Sequence, residues 1–415
     1  MNIPTFRARE ISRLEFIALT AALMALNALA IDIMLPALPN IGAAFNLVNE
    51  NDRPLVLSFY LLGVSIAQLL FGPLTDRFGR RGPLMVGLTI YVITALSAIL
   101  APSFVWLLGL RFIQGLGAAS FRVIVLAIVR DKFQGRAMAE IMSLTFTVFM
   151  IVPIIAPSIG QLLLFAGPWQ IIFLFVGLIG AGFGAWAFFR LPETLDPAKR
   201  RPLSYDGIIG GFKIVIANRF SLLYSLAGML VFGALMGMIN SSQQIFVEIY
   251  SLGARFPIAF AAMAGTMAFA SFLNSRIVGY FGMRRIAHFA LVVFTASSTL
   301  LLVFSLFGHV AFPLFFVLLT TAMFMFSASS ANMNALAMQP LGAVAGTAAS
   351  VFGFLQTLGG TLIGLMIGRM FDGTITPIAA GFATVGIIAL LAVLWAENGR
   401  LFGLGEEEQP VSAKG

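Results

Sequence analysis

Asp32 stands inside the first long apolar run of the chain, Phe16–Leu38, and is the one acid predicted to lie well within hydrocarbon. A carboxylate at that depth is costly, so ionisable residues there mark ion or substrate pathways more often than packing. The chemistry it offers is uptake and release of a proton. Arg111 lies seven residues past the outer start of another run, Phe104–Ile128, and Asp32 six before the outer end of its own. At the helical rise both fall roughly 10 Å below the outer surface. Matched depth permits a pair, in which the guanidinium favours the charged carboxylate and desolvation opposes it. A static buried ion pair is the plainer alternative. Gln114 is a neighbour on that face. Arg122 returns to within about 20° of Arg111 and roughly 16 Å lower. It either adds positive bias to a cavity, favouring anionic or electron-rich neutral compounds, or snorkels to the inner interface.

A second set of polar residues lies in the other half. Asn240, Gln243, Gln244 and Glu248 sit at i, i+3, i+4 and i+8, one polar stripe on a helix. Uncharged amides there suit orientation of varied ligands, and interhelical hydrogen bonding is the competing use. Asn332 and Asn334 are about 200° apart, so both cannot face one cavity, and Gln356 is a further candidate. Gly360, Gly364 and Gly368 read as close helix packing.

The elements that must hold these residues are membrane spans. Apolar residues make up 60% of the 415, charged residues 10%, and mean hydropathy is +0.98. A soluble chain carries about a quarter charged residues. With no cysteine and two histidines, disulfides, thiolate sites and a zinc or haem centre are excluded as organising chemistry, and a membrane enzyme has little to work with. No GxxxxGK(S/T) pattern appears, which argues against ATP-driven pumping, and Gly115-Leu116-Gly117 lacks the strand–turn–helix setting of a dinucleotide site. No cofactor is expected beyond a proton gradient. The net charge of +8 fits cytoplasmic loops rather than nucleic acid.

Twelve runs are long enough to span: Phe16–Leu38, Pro54–Leu74, Gly82–Ala101, Phe104–Ile128, Ala137–Ala166, Trp169–Phe189, Ser221–Ile249, Phe256–Ile277, Ala287–Phe307, Phe312–Met338, Ala343–Phe371 and Thr376–Ala396. The expected organisation is a cytoplasmic segment 1–15, a six-helix bundle 16–189, a linker 190–220, a second bundle 221–396 and a tail 397–415. Arg7, Arg9 and Arg13 before the first run mimic a secretory signal, but the run is long and lacks a small-residue cleavage site, so a retained span is expected. With both termini inside, twenty lysines and arginines fall on cytoplasmic segments and three outside (Arg53, Arg255, Arg369), a strong positive-inside bias. The halves also echo each other. Asp76-Arg77-Phe78-Gly79-Arg80-Arg81 and Tyr280-Phe281-Gly282-Met283-Arg284-Arg285 place glycines 203 positions apart, as two six-helix repeats would.

Gly72-Pro73-Leu74-Thr75-Asp76-Arg77-Phe78-Gly79-Arg80-Arg81 resembles the GxxxD(R/K)xGR(R/K) signature of the major facilitator superfamily. Asp32-Ile33-Met34-Leu35-Pro36-Ala37-Leu38-Pro39 resembles the first-helix signature of drug:proton antiporters, Arg111-Phe112-Ile113-Gln114-Gly115 their fourth-helix RxxQG motif, and Asn274–Arg285 a loop of the Bcr/CflA group. Pro153 through Gly160 resembles the antiporter motif, but reads Ala156-Pro157-Ser158-Ile159-Gly160-Gln161 where Gly-Pro and paired glycines are usual. The chain is thus similar throughout to Bcr/CflA-type multidrug antiporters. The resemblance implies an all-α membrane fold of twelve helices in two pseudo-symmetric bundles, and no enzyme activity. It implies efflux of small drugs such as bicyclomycin, chloramphenicol-like compounds and sulfonamides, coupled to protons at Asp32 and Arg111. Substrate contacts would come from Asp32, Arg111, Gln114, Arg122, Asn240, Gln243, Gln244 and Gln356. A conformational latch of Gly72, Asp76, Arg80 and Asp131 would have Asp76 dock near the cytoplasmic start of the eleventh helix while Arg80 engages Asp131. A monomer in the bacterial inner membrane follows, with no nucleic-acid partner. Uptake symport, or export of one metabolite, is the alternative within transport.

Overall fold

The computed structural model describes residues 11–133, 135–200 and 205–403. Of the charges used for orientation, Arg7, Arg9, Arg201 and Lys414 lie outside these residues, as do the side chains of Arg136 and Lys199 and the acidic run Glu406–Glu408. Among the described residues the chain is all helical: α1 (Arg13–Asp32), α2 (Leu38–Ala44), α3 (Leu55–Phe78), α4 (Arg81–Ala98), α5 (Phe104–Lys132), α6 (Gly135–Ala166), α7 (Gln170–Arg190), α8 (Tyr205–Ala217), α9 (Arg219–Gln243), α10 (Phe256–Phe281), α11 (Met283–Leu306), α12 (Phe312–Met338), α13 (Ala345–Arg369) and α14 (Thr376–Ala396). Among the described residues, eleven helical stretches are long and apolar enough to cross a bilayer. The remaining expected span corresponds to α6, whose Ile151–Ala166 part is apolar.

The helix ends follow from local chemistry. Ser12, Ser103 and Asn218 accept main-chain N–H bonds at the starts of α1, α5 and α9, filling donors the first turn leaves open. The first run was expected as one helix to Leu38, but α1 stops at Asp32, followed by a 3-10 turn Leu35–Ala37 and then α2. Pro36 has no N–H for the carbonyl four residues back, which is that of Asp32, and its ring crowds that oxygen. The seventh run likewise changes geometry, α9 giving way to a π-helical turn Gln244–Ile249. The expected linker holds α8, where Val215 is buried and Phe212 packs edge-on against Phe354 of α13.

Two compact units emerge, Met1–Asn46 with Phe59–Ser204, and Leu47–Ser58 with Tyr205–Gly415. Inside the first, α1 packs on α5, α6 and α7, and α4 packs on α5 and α7. Inside the second, α9 packs on α12, α13 and α14, and α11 packs on α12 and α14. These are the same pairings between helices of corresponding order, so the repeat suggested by two short loops runs through the packing. At the start of α1 Glu15 receives a two-pronged bond from Arg190, at 2.6 Å to each oxygen. The glycines of α13 serve close approach: a Cβ at Gly364 would strike Met236 and at Gly360 Phe232, both on α9.

Candidate functional site

Asp32 is the last residue of α1 and 4% exposed. Its position depends on the break that Pro36 imposes, and α6 packs against that break. A Cβ on Gly160 would collide with the Ile33 carbonyl oxygen and come within 3.0 Å of the Pro36 ring. The last glycine of the fifth-span motif therefore fits the kink that carries the carboxylate. Among the described residues, no hydrogen bond or ion pair of the Asp32 side chain occurs.

Arg111 enters from α5 with none of its surface exposed. The expected direct pair with Asp32 is not formed. Instead Nη2 donates to the carbonyl of Ala30 at 2.9 Å and Nη1 to Gln114 Oε1 at 2.7 Å, while the guanidinium lies 4.4 Å from the centre of the Tyr60 ring. The reason lies in the helix break: Met34 N–H bonds Ile31 rather than Ala30, which frees the Ala30 carbonyl for the arginine. A charged fork over an aromatic face in a dry interior is worth more than at a surface. Tyr60 and Asn27 complete the cluster, with Tyr60 Oη donating to Asn27 Oδ1 at 2.7 Å. Tyr91 Oη donates to the Leu26 carbonyl at 3.2 Å, tying α4 to the same stretch of α1. Gln114 Nε2 is buried without a partner. Gly115 lets α5 press on the α3 main chain at Tyr60, where any side chain would collide.

The sequence reading singled out Asp32, Arg111 and Gln114 but not Tyr60, Asn27 or Tyr91. A tyrosine on one apolar run and an asparagine five residues before Asp32 look like ordinary interior polar residues until packing brings them together. Arg122 is exposed and takes no part in this cluster.

In the second unit Asn240, Gln243 and Gln244 are all buried. Gln244 Nε2 donates to Asn51 Oδ1 at 2.7 Å, and Asn51 Nδ2 donates to the carbonyls of Phe371 at 2.7 Å and Arg369 at 3.2 Å. Glu248 pairs with Arg53 at 2.9 Å and Arg369 with Asp52 at 2.6 Å. The Leu47–Ser58 arm is thus clasped by α9, its π turn and α13. Of the polar stripe expected to face ligand, Gln244 and Glu248 hold this arm, and Asn240 packs on Gly368 while its Nδ2 reaches Ser58 Oγ of the arm at 3.5 Å. Asn332 is buried, donating to Asn274 at 2.7 Å, while Asn334 is exposed. Gln356 and Asn334 line a small cavity with Tyr224, Ser225 and Ser330.

The expected latch residues also meet. Arg80 bridges Asp131 at 2.8 Å and Asp76 at 2.6 Å, and Thr75 bonds the Gly72 carbonyl at 3.0 Å. The sequence reading missed Glu193, just past α7. It accepts main-chain N–H bonds from Arg80 at 2.8 Å, Arg81 at 3.1 Å, Thr194 at 2.9 Å and Leu195 at 3.0 Å. Burial pushes this carboxyl up, but the four N–H donors outweigh it and hold it below the ordinary range. Gly79 has φ +89°, and a Cβ there would strike Glu193, so only glycine serves.

A family model described as Major Facilitator Superfamily matches residues 20–364. The chain is 28% identical to a bicyclomycin resistance protein homolog of Haemophilus influenzae, covering 94% of this chain and 98% of the relative. It is 29% identical to the multidrug resistance protein MdtL of Escherichia coli O157:H7, covering 95% and 98%. Among solved structures, a bacterial homolog of the human lysosomal transporter Spinster, inward-facing and occupied, superposes with a TM-score of 0.69 at 14% identity, covering 94% of this chain and 96% of that one.

Proposed function

Because this chain belongs to the Major Facilitator Superfamily, a family of multi-pass membrane transporters and not enzymes, we propose that it exports small drugs in exchange for protons by alternating access. One observation carries the reading: Asp32 is buried at a helix break with no protein donor on its carboxylate among the described residues. A carboxylate removed from water without a partner carries a desolvation penalty of several kcal/mol, which proton binding removes. Arg111 lies on the same stretch of α1 through Ala30, so its charge acts on Asp32 without neutralising it in a fixed pair. Substrate and proton then oppose each other at this position. Gln114 Nε2, a buried donor without a partner, supplies a contact for an acceptor on the drug.

The names of the two relatives support drugs as the substrate class. Bacterial relatives and the lysine and arginine distribution support an inner-membrane protein with both termini cytoplasmic. The Arg80–Asp131 and Arg80–Asp76 pairs support a role for that loop in the conformational cycle.

The test is drug transport in proteoliposomes under an imposed pH gradient. Asp32→Asn should bind drug yet lose gradient-driven accumulation. Transport in D32N that still follows the gradient at the parent rate removes Asp32 as the coupling group.

A further inference from the structure

Four side chains at one end of the second unit form a closed polar cluster that the Asp32 site does not use. His288 on α11 is wholly buried. Its Nδ1 accepts the Phe402 main-chain N–H at 3.0 Å, and its Nε2 lies 2.8 Å from Tyr224 Oη on α9. Tyr224 donates to Glu397 Oε1 at 2.6 Å, and Arg284 Nη1 meets Glu397 Oε2 at 3.2 Å. Proton positions follow from the partners. The N–H on Nδ1 requires that nitrogen bare, so the imidazole is neutral, carries its hydrogen on Nε2 and donates it to Tyr224. The tyrosine hydrogen goes on to Glu397. A further proton on the ring has only Nδ1 to occupy, where it faces the Phe402 N–H and breaks that bond.

We infer that His288, Tyr224 and Glu397 form a second proton-binding site, whose occupation at His288 Nδ1 releases the Glu397–Phe402 segment from the bundle. The segment is held in a conformation that needs such contacts. Asn398, Gly399 and Phe402 have φ of 52°, 81° and 63°, a region bulky residues rarely adopt, and the Phe402 ring packs edge-on against His288 at 5.8 Å. The repeat sharpens the point. Glu397 stands 115 residues after Gly282, as Glu193 stands 114 after Gly79, and the two acids clasp the starts of the corresponding helices α11 and α4. Glu193 is held by main-chain donors alone, whereas Glu397 shares its donor with an imidazole, so the second copy responds to protons. The charged and titratable groups facing His288 are Tyr224, Glu397 and Arg284. Neither α12 nor α14 carries a titratable residue, and Arg276, Tyr280, Arg285 and Arg400 nearby are exposed. An incoming proton meets the cost of charging a buried ring and repulsion from Arg284, against attraction from Glu397, so it enters only in acid. This site shares no residue with Asp32 and stands whether or not Asp32 couples transport.

The chain has two histidines, so carbon-13 histidine labelling of the full-length protein in micelles gives two imidazole signals, and His288→Gln assigns them. These are followed from about pH 8 down to about pH 3, beside hydrogen exchange at the Phe402 amide corrected for its intrinsic pH dependence. The expected result is that His288 takes up a proton within this window and Phe402 protection falls by about tenfold or more in the same step. H288Q should abolish that step and D32N should keep it. Glu397→Gln, which keeps the shape and one acceptor oxygen, for Tyr224 or for Arg284, while removing the anion beside the imidazolium, should move the step to lower pH. A His288 that stays neutral throughout with Phe402 protection unchanged overturns the inference. So does a protection loss that persists in H288Q, or a midpoint that E397Q leaves unmoved.

Discussion

Arg111 illustrates how neutral groups of a helical bundle help to hold a buried charge. Its donors meet a carbonyl freed by a helix break and an amide oxygen, and its planar face meets Tyr60. Lysine has the charge but not the fork. Arg111→Lys should therefore lose at least one charge-assisted hydrogen bond, about 1.5–3 kcal/mol, and the stacking on Tyr60. Thermal unfolding in detergent and apparent drug affinity should both fall. Unchanged values for both would mean that charge alone is what the site requires.

At the scale of the element, the break after Asp32 is a joint between α1 and α6. Gly160→Ala forces a methyl against the Ile33 carbonyl and the Pro36 ring, and overpacking of that kind costs about 1–3 kcal/mol. It should lower transport along with stability, because the part that shifts carries Asp32. Gly182→Ala on α7, where a Cβ meets nothing within 4 Å, is the matched control and should leave both intact. Equal effects of the two substitutions would show that the joint is not specific. Glu193 gives a pH-dependent case. Its carboxyl is held below the ordinary range, so its stabilisation is complete above the unfolded value near about 4.3 and is lost as pH falls through the lower folded value. Glu193→Gln should therefore melt below the parent at neutral pH, with the gap closing in acid. A gap that stays constant into that acid range would assign the effect to shape rather than charge.

For the whole molecule, the Leu47–Ser58 arm is the feature no single element announces. The chain runs from α2 into α3 through it, yet its contacts belong to the second unit, through Asn51, Asp52 and Arg53. The alternating access proposed for this chain would have these contacts break and re-form. The absence of cysteine allows a clean test. Cysteines at Asp52 and Arg369, joined by a short reducible crosslinker, should stop transport, and reduction should restore it. Full transport with the bridge closed would show that the arm stays in place through the cycle. The break in α1 and the π turn after α9 serve the same ends at this scale: one places Asp32, and the other directs Gln244 and Glu248 to the arm.

The hydrophobic pattern by itself determined the membrane class and the spans, because a bilayer demands about 20 apolar residues per helix and local composition reports that directly, while two similar short loops pointed to the repeat. Asp32 and Arg111 were legible for the same reason, since charge in hydrocarbon is conspicuous. Which partners they take was decided only by tertiary structure. Hydrogen bonds to main-chain oxygens such as Ala30, and the Tyr60 and Asn27 contacts, depend on where helices cross, and side-chain type does not encode a crossing. Glu193, Gly160 and the His288–Tyr224–Glu397 cluster stayed hidden likewise, each joining residues far apart in the chain at a junction that only packing creates.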